Sequence, residues 1–222
     1  MHLELVELLR CPNAHAPSVL VAAADEIENR YVLNGLLGCP ECLAEYAVRA
    51  GVTYFTGHVD ENASANLVTA SVVDRDVAMR LAAQLGLSAG RTVFALIGFN
   101  LDMAIAMREI VAARVLLINP PQHFYTEQSL PAVSQAAPFG IALCGETMPL
   151  VARKLDGIAV AHSRVSEKLL DQCVQLLRPN ARLVAPTDAP VPSGMRELVR
   201  DEQVWVAERE AIVSAPIPLT RR

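Results

Sequence analysis

Two cysteine turns near the N-terminus, Cys11-Pro-Asn-Ala-His15 and Cys39-Pro-Glu-Cys42, constrain this chain more than any other feature. Thiolates two residues apart can both reach one tetrahedral cation from a single tight turn. A second turn from the far side completes the four ligands that structural zinc prefers. The expected site is therefore a structural zinc on Cys11, His15, Cys39 and Cys42. At this level the fourth ligand stays open. His15 leads, His2 and His58 are rivals, and a water or no ligand at all are the other options. The competing reading is a metal-free ribbon with buried thiols, although paired Cys-Pro turns have little other reason to coincide. A segment of roughly 55 residues buries too little surface to fold securely alone, and metal ligation supplies what burial lacks. A second, separately folded unit is expected after it.

Composition narrows the function classes. Net charge is −5, which leaves no electrostatic footprint for nucleic acid. Residues 1–58 carry Glu4, Glu7, Asp25, Glu26, Glu28, Glu41 and Glu45 against only Arg10, Arg30 and Arg49, the reverse of an RNA-reading ribbon. The apolar fraction is high, at 52%. Even so, no stretch of about 18 residues lacks charged and polar side chains, so no membrane span is expected. The opening Met-His-Leu-Glu-Leu-Val-Glu is acidic, unlike a signal peptide. Five cysteines, three of them in metal-type turns, fit a reducing compartment, and a cytoplasmic location is expected.

The chain divides into an expected zinc-ribbon domain over 1–58, a linker over 59–72 and an α/β domain over 73–222. In the first part Leu3 to Leu9 has helical spacing. Ser18–Ala22 and Arg30–Leu33 read as strands around a polar turn at Asp25–Asn29, and Glu45–Arg49 and Val52–Phe55 as two more. Thr56–Ala70 is small and polar with no apolar period, as a linker would be. Beyond it the grammar changes. Helices are expected at Val73–Leu85, Leu101–Ala113 and Ser166–Leu177. Strands are expected at Thr92–Ile97, Val115–Ile118, Gly140–Cys144, Gly157–Ala161 and Arg182–Ala185. Val204–Glu208 and Ala211–Ala215 are expected to close the chain as an antiparallel pair. Strands alternating with helices imply a parallel sheet covered on both faces, a doubly wound Rossmann-like fold.

Two resemblances add to this reading. Leu8-Leu9-Arg10-Cys11-Pro12, Gly35-Leu36-Leu37-Gly38-Cys39-Pro40-Glu41-Cys42 and Glu45-Tyr46-Ala47-Val48-Arg49-Ala50-Gly51-Val52 occur in that order. They resemble the small zinc-ribbon activator subunits that bind and stabilise methyltransferases. One departure is that the first turn offers His15 where a second cysteine two residues after Cys11 is usual. Residues 73–215 are similar to class I S-adenosylmethionine-dependent methyltransferases. The matching segments are Leu81–Val93 before the first strand, Gly145-Glu146-Thr147-Met148-Pro149-Leu150 after the third, Leu155-Asp156-Gly157-Ile158-Ala159-Val160 as the fourth and Leu176–Val184 leading into the fifth.

The positions that the second resemblance assigns to the cofactor have changed. Leu96 stands in place of an acid, and Gly98 alone remains of a three-glycine turn, with side chains at Asn100 and Asp102. Asn119 replaces the carboxylate that would take the ribose hydroxyls, and Cys144 replaces an aspartate near the adenine. S-adenosylmethionine is therefore expected to bind weakly or not at all. Other residues have bland readings beside the functional ones. His162 and Ser163 lie just past the fourth strand, where substrates bind in this fold, but His162 has no placed partner. Asn119-Pro120-Pro121 reads as a proline-stiffened loop, and Cys173 as core. The reading that follows is a non-catalytic zinc-ribbon and methyltransferase-like protein, a pseudoenzyme that acts as scaffold, activator or assembly partner. Its expected partner is another protein or a second copy of itself. The alternative is an active methyltransferase with an atypical pocket, in which Gly98 and Asn119 line the cofactor and His162 lies near the acceptor. A third option is a pocket re-used for a different small ligand.

Overall fold

A computed structural model of the chain describes residues 1–55, 74–87, 92–121 and 138–211. The linker expected at 59–72, His58 and most of the strand expected at Ala211–Ala215 lie outside these residues. A short helix, α1 (Leu3–Val6), opens the chain. It stops well before Leu9, because Leu9 and Arg10 leave it to bridge Leu150 and Val19 on the way into the first cysteine turn. A hairpin follows, β1 (Val21–Glu28) and β2 (Tyr31–Gly38). The expected turn at Asp25–Asn29 is mostly strand. The chain reverses only at Asn29 and Arg30, whose φ of 48° and 69° are the left-handed pair that a two-residue hairpin connection requires. Asp25, Glu26 and Glu28 are exposed on β1, which forms the edge of the sheet, so its carboxylates need no partner in a core. The strands expected next form as β3 (Glu45–Arg49) and β4 (Val52–Tyr54).

The second half alternates as its sequence implies. Its elements are α2 (Arg75–Leu85), β5 (Val93–Ile97), α3 (Leu101–Val111), β6 (Arg114–Ile118), β7 (Phe139–Leu143), β8 (Leu155–Val160), α4 (Glu167–Leu176) and β9 (Leu177–Pro186). Two strands follow, β10 (Met195–Arg200) and β11 (Val204–Arg209). Val204–Glu208 instead pairs antiparallel with β9 on one side and β10 on the other, and Ala211 is not in a strand. The exposed, charged face of Met195–Arg200 hides it from a search for apolar runs, since it is the other edge of the sheet.

All described strands join one sheet in the order β1-β2-β3-β4-β7-β6-β5-β8-β9-β11-β10. From β4 to β9 neighbouring strands pair parallel, with antiparallel hairpins at both ends. The fold is thus mixed α/β, with a doubly wound parallel centre. Alternate residues of the central strands feed two cores. Val93, Ala95, Ile97, Leu116, Ile118, Ile158 and Val160 pack with α1 and α4 on one face. Phe94, Leu96, Val115, Leu117 and Ala159 pack with α2 and α3 on the other.

The cysteine-bearing part is built into this sheet. Val52, Thr53 and Tyr54 of β4 pair in register with Ile141, Ala142 and Leu143 of β7. Met1 and Leu5 close the seam over Gly140. A Cβ at Gly140 would sit 2.5 Å from the Met1 sulfur and 3.0 Å from Leu5 Cδ1, so a side chain there would have to displace the ends of both. Tyr31 of β2 accepts a hydrogen bond from Phe139 N–H at 3.2 Å, a further tie between the parts.

Candidate functional site

Local structure brings the two cysteine turns together. In the first, Cys11 N–H bonds back to Ser18 carbonyl at 3.0 Å and closes the loop that carries His15. In the second, Cys39 N–H bonds to Ala44 carbonyl and Leu43 N–H to Cys39 carbonyl, with Leu43 at a φ of 59°. The antiparallel strands β2 and β3 carry this turn between them. The sulfur and imidazole ligand atoms of Cys11, His15, Cys39 and Cys42 all lie within 4.8 Å of one another. Cys11 Sγ is 3.6 Å from Cys42 Sγ, and Cys39 Sγ is 3.4 Å from His15 Nε2. A tetrahedral metal with bonds of about 2.3 Å to sulfur has sulfur–sulfur edges of roughly 3.8 Å, so the spacing suits one ion at the centre.

The ligand chemistry is also suitable. His15 Nδ1 lies 2.6 Å from Ala16 carbonyl, a partner that must accept, so Nδ1 carries the proton and Nε2 is free to ligate. Cys42 is exposed; the N–H of Ala44 and the Asn13 amide bring its thiol down to about 6. Burial opposes ionisation of Cys39, yet the N–H groups of Cys42 and Glu41 hold it below its usual value. Burial pushes Cys11 up, and its hydrogen bond with Tyr46 works against that shift. His2 is not a member of the cluster. It caps α1, with Nδ1 accepting from Glu4 N–H at 3.2 Å.

Two neighbours escape a search for ligand types. Tyr46 Oη lies 3.2 Å from Cys11 Sγ, and Asn13 Nδ2 donates to Cys42 Sγ at 3.4 Å. Burial, then the adjacent Cys11, push the Tyr46 phenol far up, so it stays protonated and donates to the sulfur. The tyrosine stands inside the quoted cysteine-and-tyrosine pattern, but nothing in that pattern says that its hydroxyl points at a thiolate.

A second candidate region lies at the carboxyl ends of β5, β6 and β7. A cavity of about 530 Å³ opens there, walled by Ile97, Asn119, Cys144 and the first turn of α4. Ligands of open α/β sheets bind at this end of the strands. Its wall is firmly held. Gln172 of α4 donates to Glu146 carbonyl and accepts from Met148 N–H, both at 2.8 Å, which pins the loop after β7 to the helix.

The residues named for a cofactor have other tasks here. Gly98 has a φ of 76°, and a Cβ on it would lie 2.5 Å from Arg164 Cγ. The stem of Arg164 thus rests directly on the glycine. Asn119 Oδ1 accepts from Cys144 N–H at 2.7 Å and ties the end of β6 to that of β7. Asn100 caps α3, accepting from Met103 N–H at 2.9 Å. Leu96 is fully buried under the helices of the second core. Burial also pushes the Cys144 thiol far up, so it is an inert neutral group. His162 has an exposed neighbour, Asp188, 3.6 Å from its Nδ1, and Cys173 is core.

No family model matches the chain, and no curated protein does. Solved structures with a similar course of chain are methyltransferases. A candidate S-adenosyl-L-methionine-dependent methyltransferase from Methanococcus maripaludis is 9% identical, with a TM-score of 0.49, over 64% of this chain and 87% of that one. Geranyl diphosphate C-methyltransferase from Streptomyces coelicolor A3(2) is 12% identical, with a TM-score of 0.44, over 50% of this chain and 42% of that one. Phosphoethanolamine N-methyltransferase 2 from Haemonchus contortus is 14% identical, with a TM-score of 0.43, over 50% of this chain and 27% of that one. This chain therefore spans less than half the length of the last two enzymes.

Proposed function

We propose that this protein is a non-catalytic, methyltransferase-like protein with a built-in zinc ribbon, and that it serves as a scaffold, activator or assembly partner for another protein. The observation that carries the reading is the state of the strand ends. Arg164 covers the one remaining glycine, Asn119 spends its amide oxygen on Cys144 N–H, and an apolar Leu96 replaces the acid. These groups do not suit a ribose diol and a close-approaching cofactor backbone. No methyl-transfer step is drawn through them.

In this reading zinc is bound by Cys11, Cys39 and Cys42 and by Nε2 of His15. Its task is structural: four protein ligands leave no position for a reactive water. The ribbon resembles activator subunits that dock on methyltransferases, and its β4 edge is already occupied by β7 of the same chain. Any activating contact must then use another face.

Titration calorimetry with S-adenosylmethionine and S-adenosylhomocysteine tests the proposal. Loss of a carboxylate's hydrogen bonds to a diol is worth about two to four orders of magnitude in affinity, so neither should bind below the millimolar range. Micromolar binding of either would favour the alternative, an active methyltransferase with an atypical pocket. That alternative draws support from the cavity at the strand ends.

A further inference from the structure

Most of the unused side-chain hydrogen-bonding groups on the wall of the strand-end cavity are donors. Asn119 commits its carbonyl oxygen to Cys144 N–H, which leaves the Nδ2 group with two donors and no partner among the described residues. Glu146 is the one carboxylate of the wall, and Lys168 Nζ holds it at 2.6 Å. Ser166 Oγ accepts from Leu169 N–H at 3.2 Å, so its hydroxyl proton is free to donate. The Arg164 side chain has neither an ion pair nor a hydrogen bond among the described residues, and its stem is held in place over Gly98. Between these donors, Ile97 and Leu169 supply an apolar surface. A ribose diol that binds through its hydroxyl hydrogens needs an acceptor, and the strongest side-chain acceptor here, the Glu146 carboxylate, is paired with Lys168. An anion needs donors, and the planar guanidinium fork matches a carboxylate or phosphate in two-point contact. The volume, about 530 Å³, is in the ordinary range for small-molecule sites.

We propose that this cavity binds a small organic anion, a carboxylate or phosphate on an apolar body, with Arg164 as the principal contact and Asn119 Nδ2 and Ser166 Oγ as supporting donors. The site is independent of the metal centre and goes beyond the scaffold reading. It gives that scaffold a ligand to sense.

The test is an NMR titration of the full, zinc-loaded, ¹⁵N-labelled chain at constant ionic strength. The probes are phenyl phosphate, phenylacetate and neutral benzyl alcohol, and the amides of Asn119, Gly145, Ser166 and Leu169 are followed. Saturable shifts are expected with at least one anion and none with the alcohol; the two anions separate phosphate from carboxylate. Arg164→Ala should weaken binding about ten- to a hundredfold, and Arg164→Lys should restore part of it. Asn119→Asp keeps an acceptor for Cys144 N–H but removes the donors and adds a negative charge. It should weaken binding as strongly while leaving the melting temperature in place. Three results overturn the proposal: no saturable shift with either anion, equal binding of benzyl alcohol, or affinity unchanged in both Arg164→Ala and Asn119→Asp. S-adenosylhomocysteine in the same assay addresses the other question, because its binding would overturn the non-catalytic reading, whereas failure of the anions alone would not.

Discussion

The candidate metal cluster turns on a few atoms whose surroundings differ sharply. Cys11 and Cys39 are buried while Cys42 is exposed and His15 partly so, so an ion there is shielded on one side and open to chelators on the other. With a dication bound, three thiolates and a neutral imidazole would leave one excess negative charge, which the Tyr46 hydroxyl and the Asn13 amide would offset by donating to sulfur. Tyr46→Phe keeps the ring packed on Phe55 and removes only the donor, so zinc affinity should fall by about 10–100-fold with the fold retained. Competition with a chromophoric chelator reads this directly. Replacing Cys39 and Cys42 together by serine should reduce the zinc content, measured by atomic emission, from one per chain to none and strip protection from β1–β4, because metal binding and local folding are coupled. A metal content near zero in well-folded, unsubstituted protein would refute the zinc reading. Much of this centre is legible in the sequence, since ligand types and turn spacing are local. Tyr46 and Arg164 are not, because what matters about each is the atom it lies against, far away in the chain.

Among the elements, the seam between β4 and β7 matters most. Met1 and Leu5 pack against Gly140 of β7 beside this parallel pairing. Gly140→Val would push branched carbons into both, and overpacking of this kind typically costs 1–3 kcal/mol. Urea denaturation should show that loss, with faster amide exchange at Val52–Tyr54 than elsewhere in the sheet. At α3 the cap decides. Asn100→Ala removes the acceptor for Met103 N–H and should cost about 1 kcal/mol. The same substitution should leave any ligand affinity of the cavity unchanged, because the side chain serves the helix. Periodicity makes the buried elements readable: β5, β6 and β7 are apolar runs and α2–α4 are amphipathic. The edge strands β1 and β10 defeat that approach. Their charged residues are interspersed with exposed apolar ones such as Val21, Ile27, Leu198 and Val199, and what makes the two segments strands is a neighbour's hydrogen bonds rather than a regular apolar pattern of their own.

Across the whole molecule, the Cys/His cluster and the α/β second half share one sheet, so their stabilities should be linked. Trp205, the only tryptophan, is fully buried in β11 with its indole N–H on Ala189 carbonyl, near the opposite end of the sheet from the cysteines. In cobalt-substituted protein, Trp205 fluorescence and the cobalt–thiolate absorption should report a single coincident thermal transition. Two separated transitions would mean that the halves unfold independently despite the shared strands. The sequence by itself determined the residue types gathered at the cysteine turns, the strand–helix alternation and the change of grammar between the two parts, because each depends on residues within a few positions of one another. Only the tertiary structure decided that β4 spends its edge on β7, that Met195–Arg200 forms the far edge of the sheet, and that Arg164 and Asn119 both line the strand-end cavity. Those outcomes rest on pairing and side-chain contact between distant segments, where the winner is set by which groups meet and not by what each stretch prefers alone.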